Sequence, residues 1–231
     1  MMKKEGKRLF AKTGSSNPLD QKIYAYLTEK ISEGALSGGD RVVEAELQKV
    51  FKVSRTPIRE ALRILTSRGL LQMVPGKGAS IRLVSFEDIK EIYPVLANLE
   101  GLAANMASDQ IVEETLAEMK SCLEQMESLN QAGEKRPYIE YHYRFHELYI
   151  QSCQNQHLIQ IIMDLRRQVH LYRLSHLYIP MAHSYSMTIH EKILRLLREK
   201  NKKEVEELVK EHMLIAMDRF LSSKPGTQGQ D

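Results

Sequence analysis

The chain has 231 residues, 42% of them hydrophobic, with 33 Lys+Arg against 30 Asp+Glu and a formal net charge of +3. That length suffices for two domains that each bury a core. No run of about 18 apolar residues is present, and the basic start "MMKKEGKR" lacks the apolar centre of a secretory signal. The two cysteines, Cys122 and Cys153, fit no metal or redox spacing. A membrane span, a disulfide scaffold and a thiol redox centre are therefore excluded, and the expected location is cytoplasmic.

Charge divides the chain. Residues 1–82 hold 16 Lys+Arg against 8 Asp+Glu, whereas the remainder holds 17 against 22. A basic N-terminal part suits a polyanion such as DNA, and a mildly acidic remainder suits a sensor or an enzyme body.

In chain order, residues 1–18 are polar, lack a period and end in Pro18, which reads as a flexible arm. Ile23, Tyr26, Leu27 and Ile31 then recur at helical spacing, and Gly34 stops that helix. After the turn "SGGD", Leu47, Val50 and Phe51 mark a short second helix beginning near Val43. A tight "KVS" connection leads to a third helix. Ser54 and Thr56 both offer it a capping oxygen, and Pro57 suits its first turn. Ile58, Ala61, Leu62 and Leu65 form its buried stripe, and Gly69 ends it. "LLQMV" and "ASIRLV" are strand candidates joined by "PGKG". Three helices and a hairpin make a winged helix-turn-helix over residues 19–84.

Beyond it, residues 85–222 read as an all-helical bundle of about six helices: 86–107, 110–130, 137–153, 155–178, 185–200 and 202–222. The tail, residues 223–231, reads as disordered. The expected fold class is mainly α.

Arg55 and Thr56 lie at the exposed start of the third helix, and Arg59 lies one turn further on. In helix-turn-helix docking this end enters the major groove, where arginine bonds guanine bidentately and hydroxyls reach phosphates. The helix N-terminus itself favours a phosphate. The stretch "GALSGGDRVVEAELQKVFKVSRTPIREALRILTSRGLLQMVPGKGASI" resembles the DNA-binding domain of the GntR family of bacterial transcription regulators, and "VSRTPIREAL" is its most specific part. The resemblance implies a homodimer on a palindromic double-stranded operator. It places Ser54, Arg55, Thr56 and Arg59 on bases or phosphates, with Gly76, Lys77 and Gly78 in a wing at the minor groove. Family members often carry a further arginine on the second helix; Ala45 stands at the matching position.

Among eight histidines, His142 and His146 are spaced i, i+4, so both imidazoles share a helix face at a separation one metal ion can bridge. His190 and His212 fall beside the apolar positions Ile193, Leu197, Leu208 and Ile215 on later helices. Four interior histidines without a metal are costly to bury. His157, His170, His176 and His183 lie in less regular contexts and read as surface or packing residues.

"IYPVLANLEGLAANMAS", "YHYRFHELYIQSCQNQHL", "HEKILRLLREKN" and "VKEHM" resemble the ligand-binding FCD domain of the FadR subgroup, and six helices rather than seven resemble its VanR-like branch. In many such domains an aspartate and three histidines hold a divalent metal, and the matching positions are His142, His146, His190 and His212. Imidazole at His142, where the pattern has aspartate, shifts the preference towards zinc or nickel. Leu96 stands where relatives commonly carry an arginine. The resemblance also implies a small organic acid as effector, for which Arg166 and Arg173 are the candidate cations, and the expected regulator is a repressor.

Three other readings compete. The metal itself can be the signal, the basic unit can be an architectural or nonspecific DNA binder whose affinity depends on salt but hardly on sequence, and a helical multi-histidine site can be catalytic. However, His146-Glu147 and His190-Glu191 are followed at the fourth position by Ile150 and Leu194, so the zinc-protease motif fails, and no Walker loop or dinucleotide fingerprint is present. The expected protein is not an enzyme.

Overall fold

The computed structural model describes residues 18–83, 85–175 and 183–222. Apart from Pro18, the expected arm over residues 1–18 lies outside the described residues, and so does the tail over 223–231. The elements are α1 (Pro18–Ser32), α2 (Glu44–Phe51), α3 (Arg55–Ser67), β1 (Leu71–Val74), β2 (Gly78–Ile81), α4 (Phe86–Gln110), α5 (Glu113–Gln131), α6 (Lys135–Ser152), α7 (Gln156–Ser175), α8 (His183–Arg198) and α9 (Lys202–Ser222). Three helices, a hairpin and six further helices follow in the expected order, with ends displaced by a few residues. Residues 176–178, expected to finish α7, lie outside the described residues.

The chain forms two compact units. One gathers the described residues up to 89 together with residues 163–175 of α7; the other gathers 90–162 and 183–222.

In the first unit, apolar side chains at helical spacing close a small core. Ile23 and Leu27 of α1, Leu47 of α2, and Ile58, Ala61, Leu62 and Leu65 of α3 are all at most 4% exposed. Leu70, Leu71, Ala79 and Ile81 complete it. The turn between α2 and α3 depends on Lys52, which takes the left-handed conformation at φ 55°, and on Ser54, extended at φ −70° and ψ 172°. Ser54 therefore occupies the N-cap position, but its side chain makes no capping hydrogen bond, contrary to the expectation that a hydroxyl would cap α3.

Strands β1 and β2 pair antiparallel from Leu71↔Ile81 to Val74↔Gly78. Gly76 and Gly78, at φ 73° and 82°, turn the chain through a region that side chains disfavour. The Lys77 N–H closes the turn on the Val74 carbonyl at 3.0 Å.

Arg68, just past α3, is held inward. Its Nη1 donates to the Asp20 carboxylate at 2.8 Å, and Asp20 is 1% exposed. Gln168 of α7 donates to the Arg68 carbonyl at 3.1 Å.

The second unit packs α5 against α6 and α8, and α8 against α9. Gly101 of α4 lies against α9 so closely that a Cβ would come within 2.9 Å of the Glu206 carbonyl oxygen. Beside it, Asn105 donates to Glu206 at 2.8 Å. Leu96, at the position where relatives carry arginine, is 1% exposed in the core. Both cysteines are buried, and burial pushes the Cys122 thiol up to about 11, which makes it a small hydrophobe rather than a nucleophile.

Removing one partner of a buried ion pair strands the other charge at a cost of about 3–5 kcal/mol. Arg68 is 22% exposed and also lies 3.7 Å from Asp164, so it is not left wholly unpaired. Asp20→Ala is therefore expected to destabilise the first unit by about 1–3 kcal/mol, read as an earlier loss of far-ultraviolet circular dichroism in urea; no measurable change would show that Asp164 and solvent satisfy Arg68 fully.

Candidate metal centre and DNA-facing helix

Helix α6 places His142 and His146 one turn apart on one face, α8 contributes His190 and α9 contributes His212. Their exposures are 8%, 0%, 0% and 6%, respectively. The apolar neighbours that put these faces inside, among them Phe145, Ile193 and Val209, are each fully buried. One ligand nitrogen from each of the four rings lies within 4.8 Å of the others. Ring centroids are 4.9 Å apart for His142 and His146, 5.0 Å for His146 and His190, and 4.8 Å for His190 and His212. The four residues singled out in the sequence thus converge.

One tautomer of His146 and His190 suits a cation. Tyr149 donates its hydroxyl proton to the Glu100 carboxylate at 3.0 Å, and Glu100 is 0% exposed. The Tyr149 oxygen can then accept from His146 Nδ1, 3.0 Å away, which makes Nδ1 the protonated nitrogen and turns the Nε2 lone pair inward. His190 Nδ1 meets the Ser186 hydroxyl at 3.3 Å, so its Nε2 also points inward. The two Nε2 atoms are 3.0 Å apart. Where Ser186 accepts, two lone pairs face each other and a cation between the rings relieves them; where Ser186 donates, His190 Nε2 carries the proton and donates to His146 Nε2. Tetrahedral zinc, with bonds of about 2.0–2.1 Å, holds its nitrogen donors about 3.4 Å apart, so the 3.0 Å pair would have to open by about 0.4 Å to take the ion. Four neutral imidazoles leave a dication uncompensated, and the Glu100 carboxylate, 3.6 Å from His146 Nδ1, supplies a buried opposite charge.

Glu100, Tyr149 and Ser186 escaped the sequence reading. "E…Y…H" contacts across separate helices have no periodic signal, although Tyr149, three residues after His146, is within reach on the same helix face. Arg166 is buried on α7 among residues of the first unit, and the Arg173 side chain lies outside the described residues.

On the first unit, Arg55 and Arg59 open α3 with side chains 63% and 53% exposed. Ser54, Thr56 and the wing tip at Gly76 and Lys77 are exposed too, and Gly78 is half-buried. Both arginines donate through Nε to Glu44 of α2.

Comparison with known proteins agrees with this architecture. Residues 19–81 match the model for "Bacterial regulatory proteins, gntR family", and residues 91–214 match that for "FCD domain". The chain is 31% identical to the uncharacterised HTH-type transcriptional regulator YdhC of Bacillus subtilis over 88% of this chain and 89% of that one. It is 26% identical to the HTH-type transcriptional repressor RspR of Escherichia coli, over 67% and 68% of the two chains. The solved structure of E. coli McbR/YncC superposes with a TM-score of 0.77 at 23% identity, covering 90% of this chain and 99% of that one, which shows a shared fold.

If the four rings hold a metal, elemental analysis is expected to find one divalent ion per chain in the parent protein and none in His190→Ala, which has lost one of the four donors. Tyr149→Phe, which removes the acceptor for His146 Nδ1, is expected to weaken metal affinity by about 10–100-fold with the helical dichroism unchanged. Equal metal affinity in parent and Tyr149→Phe proteins would refute the assigned role.

Proposed function

Because this chain belongs to the GntR family of bacterial regulatory proteins, and is a DNA-binding transcription regulator rather than an enzyme, we propose that it is a metal-dependent repressor controlled by a small organic acid. A homodimer places two recognition helices, each with Ser54, Arg55, Thr56 and Arg59, on the half-sites of a palindromic operator, while Gly76, Lys77 and Gly78 bring each wing to the adjacent backbone. The four converging histidines carry the reading, since they are a preassembled nitrogen set for zinc or nickel. A relative described as a repressor supports that sign of regulation. In the cytoplasm, such a protein would change operator affinity when effector binding shifts the balance between two bundle packings.

The donor set also favours a second reading. Four protein nitrogens fill a tetrahedral shell, as structural zinc sites do, whereas a site that takes a further ligand keeps a position open. With zinc, the metal itself is then the signal or a structural clamp. An octahedral ion such as nickel keeps two positions for a carboxylate beside the same four rings.

Elemental analysis and mass spectrometry of the protein as purified, followed by operator titration, separate the two. A repressor of the first kind is expected to carry an acid and to change operator affinity when acid is added to metal-loaded protein. Constant affinity under acid, with a change on metal loading alone, establishes the second. In either case Arg59→Ala is expected to cost about 1–3 kcal/mol on the selected operator with little change on unrelated duplex. Equal losses on both would reduce Arg59 to a phosphate contact.

A further inference from the structure

We propose that Glu44 is a positioning residue for base readout: by tethering the Nε edges of both recognition arginines, it presents their terminal amino groups to guanine and makes α3 discriminating rather than merely adhesive. This rests on the DNA-binding reading of α3.

The geometry is specific to one edge of each guanidinium. Arg55 Nε donates to Glu44 Oε2 at 2.6 Å, and Arg59 Nε lies 3.1 Å from both Glu44 oxygens. A guanidinium carries one N–H on Nε and four on its two terminal nitrogens, so occupation of Nε leaves the end-on fork that matches guanine O6 and N7. The two arginines are one helical turn apart on α3, while Glu44 begins α2, so the carboxylate ties two helices and two rotamers together. The hydrogen bond from Arg55 leads, with that from Arg59, in holding the Glu44 carboxyl below the usual carboxylate range, so it is ionised at neutral pH.

Stability does not explain the arrangement. All three side chains are substantially exposed, at 63%, 53% and 29%, and exposed ion pairs contribute little to folding. A negative charge on the surface facing a polyanion also weakens nonspecific attraction. Arg68, 22% exposed and held by the buried Asp20 carboxylate, shows what a structural arginine in the same unit looks like.

The proposal therefore carries two changes of opposite sign. Selection from random duplexes with the full-length protein, and with Arg55→Ala and Arg59→Ala, identifies the half-site positions that each arginine reads. Glu44→Gln, which keeps size and loses charge, and Glu44→Ala are then expected to lose about tenfold discrimination for guanine at both positions together. They are also expected to bind unrelated duplex more tightly, with a salt slope steeper by about one. Unchanged dichroism melts show that the variants fold, and Glu44→Gln carries the test where Glu44→Ala does not. Retained guanine preference at both positions, or equal loss of specific and nonspecific affinity, overturns the role of Glu44 alone. Failure of the parent protein to enrich any sequence overturns the DNA-binding reading and this proposal with it.

Discussion

Four imidazoles drawn together in the interior are the constraint around which the C-terminal unit is built. A buried polar group without a partner destabilises a fold, and four on three helices would do so repeatedly unless each nitrogen had a defined role. The surrounding packing is therefore not generic. Phe145 contacts the His190 ring edge-on at 4.9 Å, and fully buried Val209 flanks the His212 turn. Gly101 admits α9 close against α4, the helix that carries Glu100. The same close approach that makes the core dense places a carboxylate behind His146.

The arginines show how environment assigns work to one residue type. Arg68 lies against an aspartate that is 1% exposed and belongs to the architecture of the first unit. Arg55 and Arg59, a few residues earlier, stand in water with a shared carboxylate. In high dielectric that contact is too weak to hold a fold, yet it is strong enough to bias a rotamer. All three lie within residues 55–68, and it is burial that separates their roles.

Elements with a period or a special backbone angle were legible in the sequence. The α3 stripe at Ile58, Ala61, Leu62 and Leu65 followed from its spacing, and the wing from Gly76 and Gly78. His142 and His146 were legible for the same reason, as an i, i+4 pair. His190 and His212 have no local signature relative to that pair, and their assignment depended on family resemblance. Glu44, Glu100 and Tyr149 were not legible, because a polar contact between separate helices leaves no trace in either helix's own pattern. The missing Ser54 cap has a related cause: a propensity describes an isolated helix end, whereas here the left-handed Lys52 and the extended Ser54 backbone already fix the turn.

Both sites use one device. A heterocycle or guanidinium with several nitrogens is ambiguous until one nitrogen is tethered. At the metal centre, Tyr149, itself bound to Glu100, engages His146 Nδ1 and so presents Nε2. At the DNA-facing helix, Glu44 engages Nε of two arginines and so presents their terminal nitrogens. In each case the tether is a carboxylate, held directly or through one hydroxyl, and it fixes orientation while lowering the net positive charge beside it. The consequences for attraction differ: at α3 the carboxylate gives up some pull on a polyanion, whereas Glu100 adds pull on a cation, and in both places the tether gains the geometric selectivity a regulator needs when competing ions and competing DNA far outnumber its own targets.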